Sequence, residues 1–473
     1  MRIELDVISR FLHRLPFRSR PWLGAPLALA AAMIFALPAH AEGPPPRPPK
    51  DKLFALSATL RARYEAIDGQ ARAHFNRSDE LVSFRTILTA DYRPDPQVHL
   101  VAELWDSRVY GGNRGTPVST GEVNTLEPAQ LFVGVTLPGA LGKGSKIDLQ
   151  AGRFLLALGS RRLVAADEYR NTTNSSTGVR ADLATPGGWK ATLVYVLPQQ
   201  RLPNDLDSLL DNDVALDRER FDLVLWGGLV TRAKTIAGAM AEIGFVHFGE
   251  RDAPGRPTRD RSLDTFSGRL IRDPAPQTWD FELEGIVQRG TVSASLATNA
   301  PTQDVRAWFV HGDLGYSFAG PWKPRLALEY DHASGDRPGG RYSRFDPLLG
   351  MRRADLAPGA LYNAILRSNF ISPGVRLEAV PSAKTDLMVS YRPFWLAARE
   401  DAFSSTGVQD SSGRSGSFAG HQLDTRLRYS LTPTIRLEAD VVMLAKGRFL
   451  REAPNAPPGS WTRYVSINTM LLF

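Results

Sequence analysis

The sequence has no cysteine, and lysine supplies only nine of its 57 basic residues. Without cysteine there is no disulfide framework, thiolate metal site or cysteine nucleophile. After residue 41 no apolar run reaches the roughly 20 residues that a spanning helix needs, and mean hydropathy is only −0.22. A polytopic helical membrane protein is therefore excluded. Strong charge of one sign is also missing. Of the net +7, the first twenty residues hold +3, where five Arg face Glu4 and Asp6. The small remainder is spread too thinly for a nucleic-acid footprint. Charged residues make up 23% of 473, an ordinary share that argues against wholesale disorder.

The N-terminus reads as an address. Arg10, Arg14, Arg18 and Arg20 precede the apolar run Leu27 to Leu37, which ends in Pro38-Ala39-His40-Ala41. That order predicts a signal peptide over residues 1–41, cleaved after Ala41. Residues 42–53 are proline-rich and predict an extended linker.

From Phe54 to Phe473 the dominant period is two. Leu56, Ala58, Leu60, Ala62 and Tyr64 alternate with Ser57, Thr59, Arg61, Arg63 and Glu65. Leu326, Leu328 and Tyr330 alternate with Arg325, Glu329 and Asp331, and the same pattern recurs around Trp279 and Leu423. One apolar and one charged face suit a strand that separates two media. About eighteen such strands of roughly ten residues are predicted, enough to close around an aqueous channel. Their connections alternate between short, as at Arg93–Pro96 and Thr432–Pro433, and long, as at Phe154–Thr177 and His332–Arg367. Tight turns at one rim and long loops at the other predict an all-β fold: a single antiparallel outer-membrane barrel over residues 54–473, with periplasmic turns and extracellular loops. Residues 42–53 are too few for a plug domain ahead of the barrel. The last strand alternates through Val465, Ile467, Thr469 and Leu471 to Phe473.

Several segments resemble the alginate export family of outer-membrane proteins. They are Gly152-Arg153-Phe154, Leu158 to Val164, Tyr169-Arg170-Asn171 and Gly178-Val179-Arg180. Further along come Gly315-Tyr316, Pro324-Arg325-Leu326, Tyr330 to Asp336, Phe345 to Gly350, Ser368-Asn369, Pro373-Gly374-Val375 and Gly447 to Leu450. The chain departs from the family at Phe154, where Gln is usual. The resemblance implies a monomeric pore for passive, selective passage of an alginate-like anionic polysaccharide out of the periplasm. It further implies outer-membrane lipid, periplasmic export components and, through the terminal aromatic Phe473, the barrel assembly machinery as partners, with no cofactor.

A polyuronate carries one carboxylate per sugar, and arginine pairs with carboxylate through a planar fork that stays charged. The candidates for a constriction are Arg153, Arg161, Arg162, Arg170 and Arg180, in or beside a loop long enough to fold into the lumen. Arg61, Arg85, Arg325, Arg376, Arg426, Arg428 and Arg436 fall on lumen faces. So do at least as many acids, among them Glu65, Asp91, Asp148, Asp182, Asp280, Glu282, Glu284, Asp331, Asp386, Glu438 and Asp440. The alternative role of these arginines is therefore a ladder of ion pairs stiffening the wall. Asp331, Asp336 and Asp346 form a weak candidate set for Ca²⁺, although their spacing matches a plain Asp/Gly turn better. Six histidines follow the signal peptide: His74, His99, His247, His311, His332 and His421. Only His332, beside Asp331, suggests catalysis, and no G-x-S-x-G is present, so no enzymatic activity is predicted. Two other functions fit the same pattern. One is an uptake porin for small anionic solutes, the other a structural or adhesive barrel closed by its own loops.

Overall fold

The computed structural model describes residues 53–473 other than Glu168, Arg353 and Ala354. The signal peptide and nearly all of the linker lie outside these residues. Eighteen antiparallel strands form one closed sheet in which each strand pairs with its sequence neighbours, and β1 (Phe54–Asp68) pairs with β18 (Trp461–Leu472). Their number is the one expected from the period-two pattern. Ahead of β9 (Met240–Glu250), residues 236–238 form a 3₁₀ turn. Closure leaves the sheet with no open edge, which a lipid environment requires.

Burial is inverted relative to a soluble barrel. The outward faces carry exposed Leu56, Leu193, Leu283 and Leu328, whereas Arg61, Arg63, Glu65, Asp280 and Glu284 are buried inside. This places the charged period-two face around the lumen and the apolar face toward lipid.

The connections alternate without exception. Turns at one rim are short, from residues 96–97 between β2 (Ser78–Asp95) and β3 (Val98–Tyr110) to residues 318–324 between β12 (Thr302–Ser317) and β13 (Arg325–Ala333). Loops at the other rim run to 156–174 between β5 (Lys146–Leu155) and β6 (Ser175–Ala184), and 199–222 between β7 (Trp189–Pro198) and β8 (Leu223–Arg232). The longest spans 334–369 between β13 and β14 (Phe370–Ser382), followed by 396–417 between β15 (Thr385–Trp395) and β16 (Phe418–Thr432). The last, 447–460, joins β17 (Ile435–Lys446) to β18 and holds a short helix, Arg448–Glu452.

These loops supply the core. Leu361, Tyr362, Ile365, Phe403, Val408, Phe449 and Leu450 pack with wall residues Phe370, Phe394, Leu444 and Tyr464. On the opposite wall, Leu156, Leu158 and Val164 of the β5–β6 loop pack on Val194, Val196, Leu225, Val246 and Phe248. Each fully buried Leu or Phe contributes about 1.5–3 kcal/mol, so the loops are held inside and not merely draped over the rim. Phe154 lies in this second cluster at 1% exposure, so it anchors the loop by packing.

The seam between β1 and β18 is extended by Phe473, whose N–H donates to Ala58 O at 2.9 Å while Ala58 N–H donates to Phe473 O at 3.2 Å. Deleting Phe473 is expected to reduce the heat-modifiable, folded band on detergent gels. An unchanged folded fraction would show that these two bonds add nothing to closure.

Candidate functional site

Two loops meet inside the barrel. The β5–β6 loop turns sharply at Gly159 and Arg161, both with positive φ, and Arg161 N–H donates to Leu158 O at 2.9 Å. The turn brings Leu163–Ala165 alongside Leu349 of the β13–β14 loop. Leu349 N–H donates to Leu163 O at 3.0 Å, Ala165 N–H to Leu349 O at 3.1 Å, and Met351 N–H to Arg161 O at 3.0 Å.

Arg162 locks this junction. Its Nε lies 2.7 Å from Asp355 Oδ2 in the β13–β14 loop, and Nη1 lies 2.6 Å from Glu284 Oε2 on the wall strand β11 (Trp279–Ser293). Nη1 also meets Glu282, and Asp355 takes a further contact from Arg367. Arg162 is 3% exposed, and with Arg367 on Asp355 and Arg269 on Glu282 at 2.7 Å the three carboxylates share a desolvated site with three guanidiniums. The loop then crosses to the opposite wall. Arg61 donates to Tyr169 O at 3.0 Å and Arg170 O at 2.8 Å, Arg63 to Tyr169 O at 2.8 Å, and Arg85 to Arg170 O at 2.8 Å. Asn171 O accepts from Ser107 at 2.6 Å, and Tyr169 Oη donates to Asp440 at 3.2 Å. The result is a crossbar tied to β1, β2, β3, β11 and β17.

The other candidate arginines mostly pair with lumen acids. Arg153, set on the wall just after Gly152, lies 2.9 Å from Glu219 and also meets Glu127. Arg180 pairs with Asp182 at 2.6 Å, Arg376 with Glu329 at 2.8 Å, Arg428 with Glu438 at 2.7 Å and Arg426 with Asp386 at 3.8 Å. Arg325 lies 3.0 Å from Glu378 and also meets Asp280 and Asp313. Arg161 is exposed beside the crossbar. Arg436, next to the short turn before β17, has no ion pair within 4.0 Å among the described residues.

The Ca²⁺ candidates do not converge. Asp331 is engaged by Arg392 at 2.7 Å and His311 at 2.8 Å, Asp336 accepts from Ser343 N–H at 2.9 Å, and Asp346 pairs with Arg261 at 2.7 Å. No acidic or histidine cluster suited to a metal occurs among the described residues. His332 does not face Asp331 either. As neighbours on a strand they point to opposite faces, His332 outward and Asp331 into the lumen.

On the extracellular side of the crossbar lies a cavity of about 480 Å³ lined by Arg170, Arg201, Arg256 and Arg352, with Asp167 and Asp346. Asp167 pairs with Arg170 at 3.1 Å. Neither Arg201 nor Arg352 has a carboxylate within 4.0 Å among the described residues. Their polar contacts go to amide oxygens, Asn174 for Arg201 and Asn363 for Arg352, and Nε of each is buried without a hydrogen-bond partner. Burial, with Arg170 close by, pulls Arg201 down to about 9. Burial, together with Arg170 and Arg72, pulls Arg352 down to about 10. Both remain cations at neutral pH. Sequence reasoning missed both. Their one advance signal is Arg352's position just after the Phe345–Gly350 segment. On the periplasmic side a cavity of about 170 Å³ is lined by Arg272, Arg325 and Arg376 against Asp280, Glu282, Asp313, Glu329 and Asp355.

The β7–β8 loop is fixed beside the larger cavity by Asp217. Its carboxylate accepts from Asn124 Nδ2 at 3.0 Å and Leu202 N–H at 2.9 Å, while its own N–H donates to Glu127 at 2.9 Å. Burial, and then the nearby Glu127 carboxylate, push Asp217 up to about 7.

A closed eighteen-stranded barrel with charged lumen walls and inserted loops defines an outer-membrane pore of the porin class. The chain belongs to the alginate export family, which it matches over residues 53–459. Its fold is similar to a BenF-like porin from Pseudomonas fluorescens Pf-5, at 14% identity, covering 88% of this chain and 99% of that one with a TM-score of 0.55. It is also similar to opdK from Pseudomonas aeruginosa, at 12% identity, 89% and 99% coverage and a TM-score of 0.54. Acinetobacter baumannii OccAB1 matches at 9% identity, 89% and 96% coverage and a TM-score of 0.54. No curated protein matches in sequence.

Two outcomes follow. Arg162→Ser leaves Arg367 on Asp355 and Arg269 on Glu282 but takes from Glu284 its cation, and a buried pair broken in this way costs about 3–5 kcal/mol. Faster trypsin cleavage within 156–174 and noisier single-channel current are expected; wild-type proteolysis would show that the crossbar does not need the clamp. The second concerns Asp217. Because its folded-state pKa is raised, its contribution to holding the loop is full below the ordinary carboxylate range and is lost as pH rises through about 7. Amide protection factors across 199–222, corrected for the base-catalysed intrinsic rate, should be higher at pH 5.5 than at pH 8.5, and Asp217→Asn should flatten that difference. A pH difference that persists in the variant would assign it to another group.

Proposed function

We propose that this pore passes carboxylate-bearing saccharides, of the alginate type, by passive selective diffusion. The observation that carries this reading is the extracellular cavity in which Arg201 and Arg352 face the lumen with no carboxylate within 4.0 Å among the described residues. A buried cation that lacks an acidic partner is compensated by whichever anion enters, and its like-charged neighbours strengthen that demand. Arg162, Arg180, Arg325, Arg376 and Arg428 are already paired with wall acids and add little net attraction. Transport needs contacts weak enough to release the solute, which two cations at the edge of a water-filled cavity supply.

Membership of the alginate export family supports outward passage of a polyuronate. One feature supports a second reading, uptake of small anionic solutes. The positive cavity lies on the extracellular side, while the periplasmic cavity carries more acids than bases. That polarity gathers anions from outside.

Reversal potentials in a salt gradient test the shared claim. Arg201→Ser with Arg352→Ser should lower the anion-over-cation permeability ratio by about fivefold, the equivalent of about 1 kcal/mol for a partly screened contact. Block by uronate oligomers should weaken in parallel. Arg414→Ser, in an exposed outer loop, should leave both unchanged. An unaltered ratio in the double variant would remove the cavity from the selectivity mechanism. Oligomer block from the extracellular side alone would favour uptake, and block from both sides passage of a chain.

A further inference from the structure

We propose that the outward face of β9–β12 carries a binding site for the phosphate of an outer-leaflet glycolipid, built on Arg289 and Arg306. The site does not depend on which solute the pore passes. It emerges from two consecutive rows of cross-strand partners. The first row is Phe245 on β9, Phe266 on β10 (Ser262–Arg272), Val287 on β11 and Trp308 on β12. All four point away from the lumen, and Phe266, Val287 and Trp308 are 51%, 44% and 39% exposed. This row belongs to the apolar band that faces lipid.

Two residues closer to the long-loop rim, the same strands present His247, Asp264, Arg289 and Arg306, again in direct register. The outward surface thus changes from aromatic and aliphatic to ionic in one step. This marks the level where hydrocarbon gives way to headgroups on the extracellular side. Within the row, Asp264 is occupied by His247, whose Nδ1 lies 2.7 Å from Asp264 Oδ1, and His247 stacks near Trp226. Arg289 and Arg306 are left directly opposite each other, both exposed, and neither forms an ion pair within 4.0 Å among the described residues. The remaining acid of this face, Asp304, lies one step further toward solvent opposite Thr291 and pairs with neither.

Like charges opposite one another destabilise a sheet, and an anion shared between them relieves that cost. Two guanidinium forks side by side match the oxygens of one phosphate. The aromatic row beneath them lies where acyl chains would run. A free anion from solution would lack that second contact, so the arrangement selects a phosphate carried on a lipid.

Native mass spectrometry of the folded barrel in detergent, titrated with diphosphoryl lipid A, tests the site. Arg289→Ser with Arg306→Ser should weaken lipid A binding by about thirtyfold, the product of about fivefold per basic residue at a membrane surface. Arg289→Lys with Arg306→Lys should retain most of the binding. Inorganic phosphate at matching concentration should not displace the lipid, and phosphatidylcholine should bind the wild type and the Ser variant alike. Equal lipid A binding by wild type and the folded Ser variant would overturn the proposal. So would full displacement by inorganic phosphate. If the double Ser variant fails to give the heat-modifiable folded band, the single variants Arg289→Gln and Arg306→Gln replace it. Each is then expected to lose about fivefold. Wild-type binding by both would likewise overturn it.

Discussion

Arg162 is the contact on which the interior of this barrel depends. It meets Asp355 from one loop and Glu282 and Glu284 from the wall, while its own backbone belongs to another loop. A buried cluster of charges is costly to assemble and costlier to break, because loss of Arg162 leaves Glu284 without a cation while Arg367 and Arg269 stay on Asp355 and Glu282. The site therefore contributes less to net stability than to specificity of arrangement. With Arg162 seated, the β5–β6 loop has one position in the lumen, and the backbone bonds from Arg61, Arg63 and Arg85 can form at its far end. Those three wall arginines bind carbonyl oxygens of the loop, so their role is to hold the crossbar.

The same logic sorts the lumen charges. A wall arginine paired with a wall acid, along the strand as in Arg180 with Asp182 or across it as in Arg428 with Glu438, is neutral at the distance of a passing solute. Such ladders resist deformation of a wide sheet and leave selectivity to the cations outside them. Arg201 and Arg352 are of that kind because they come from loops. A strand residue meets cross-strand neighbours by register, and acids are plentiful there. A loop residue carried into the lumen meets whatever the packing leaves, here amide oxygens and other arginines.

Much of the barrel was legible in advance because period two and loop length are local properties. Strands such as Phe54–Asp68 and Arg325–Ala333 show their lumen and lipid faces residue by residue, and alternating gap lengths identify the two rims. The destination of the loops was not legible. Arg162 and Glu284 are 122 residues apart, and Arg162 and Asp355 are 193 apart, with no motif connecting them. Adjacent residues also mislead on a strand. Asp331 and His332 suggest a pair, yet the pleat separates them and His311, directly opposite on β12, is the histidine that Asp331 meets. The acids Asp331, Asp336 and Asp346 were similarly near in sequence and scattered in space, since each turn residue found its own donor.

The crossbar also explains why the two halves of the lumen differ electrically. Asp355 and the wall acids Glu282 and Glu329 reach the periplasmic cavity, so that side inherits the acids of the clamp and of the β13–β15 ladder. On the other side the crossbar presents Arg170, and the β7–β8 and β13–β14 loops add Arg201 and Arg352. An anion moving through meets opposite fields on the two faces of one thin partition. The step across is short, and inside a narrow lumen charges are screened less than in open water. The clamp that fixes the crossbar is thus also what divides the lumen charges, because the acids that hold Arg162 face one side and the arginines carried in by the loops face the other.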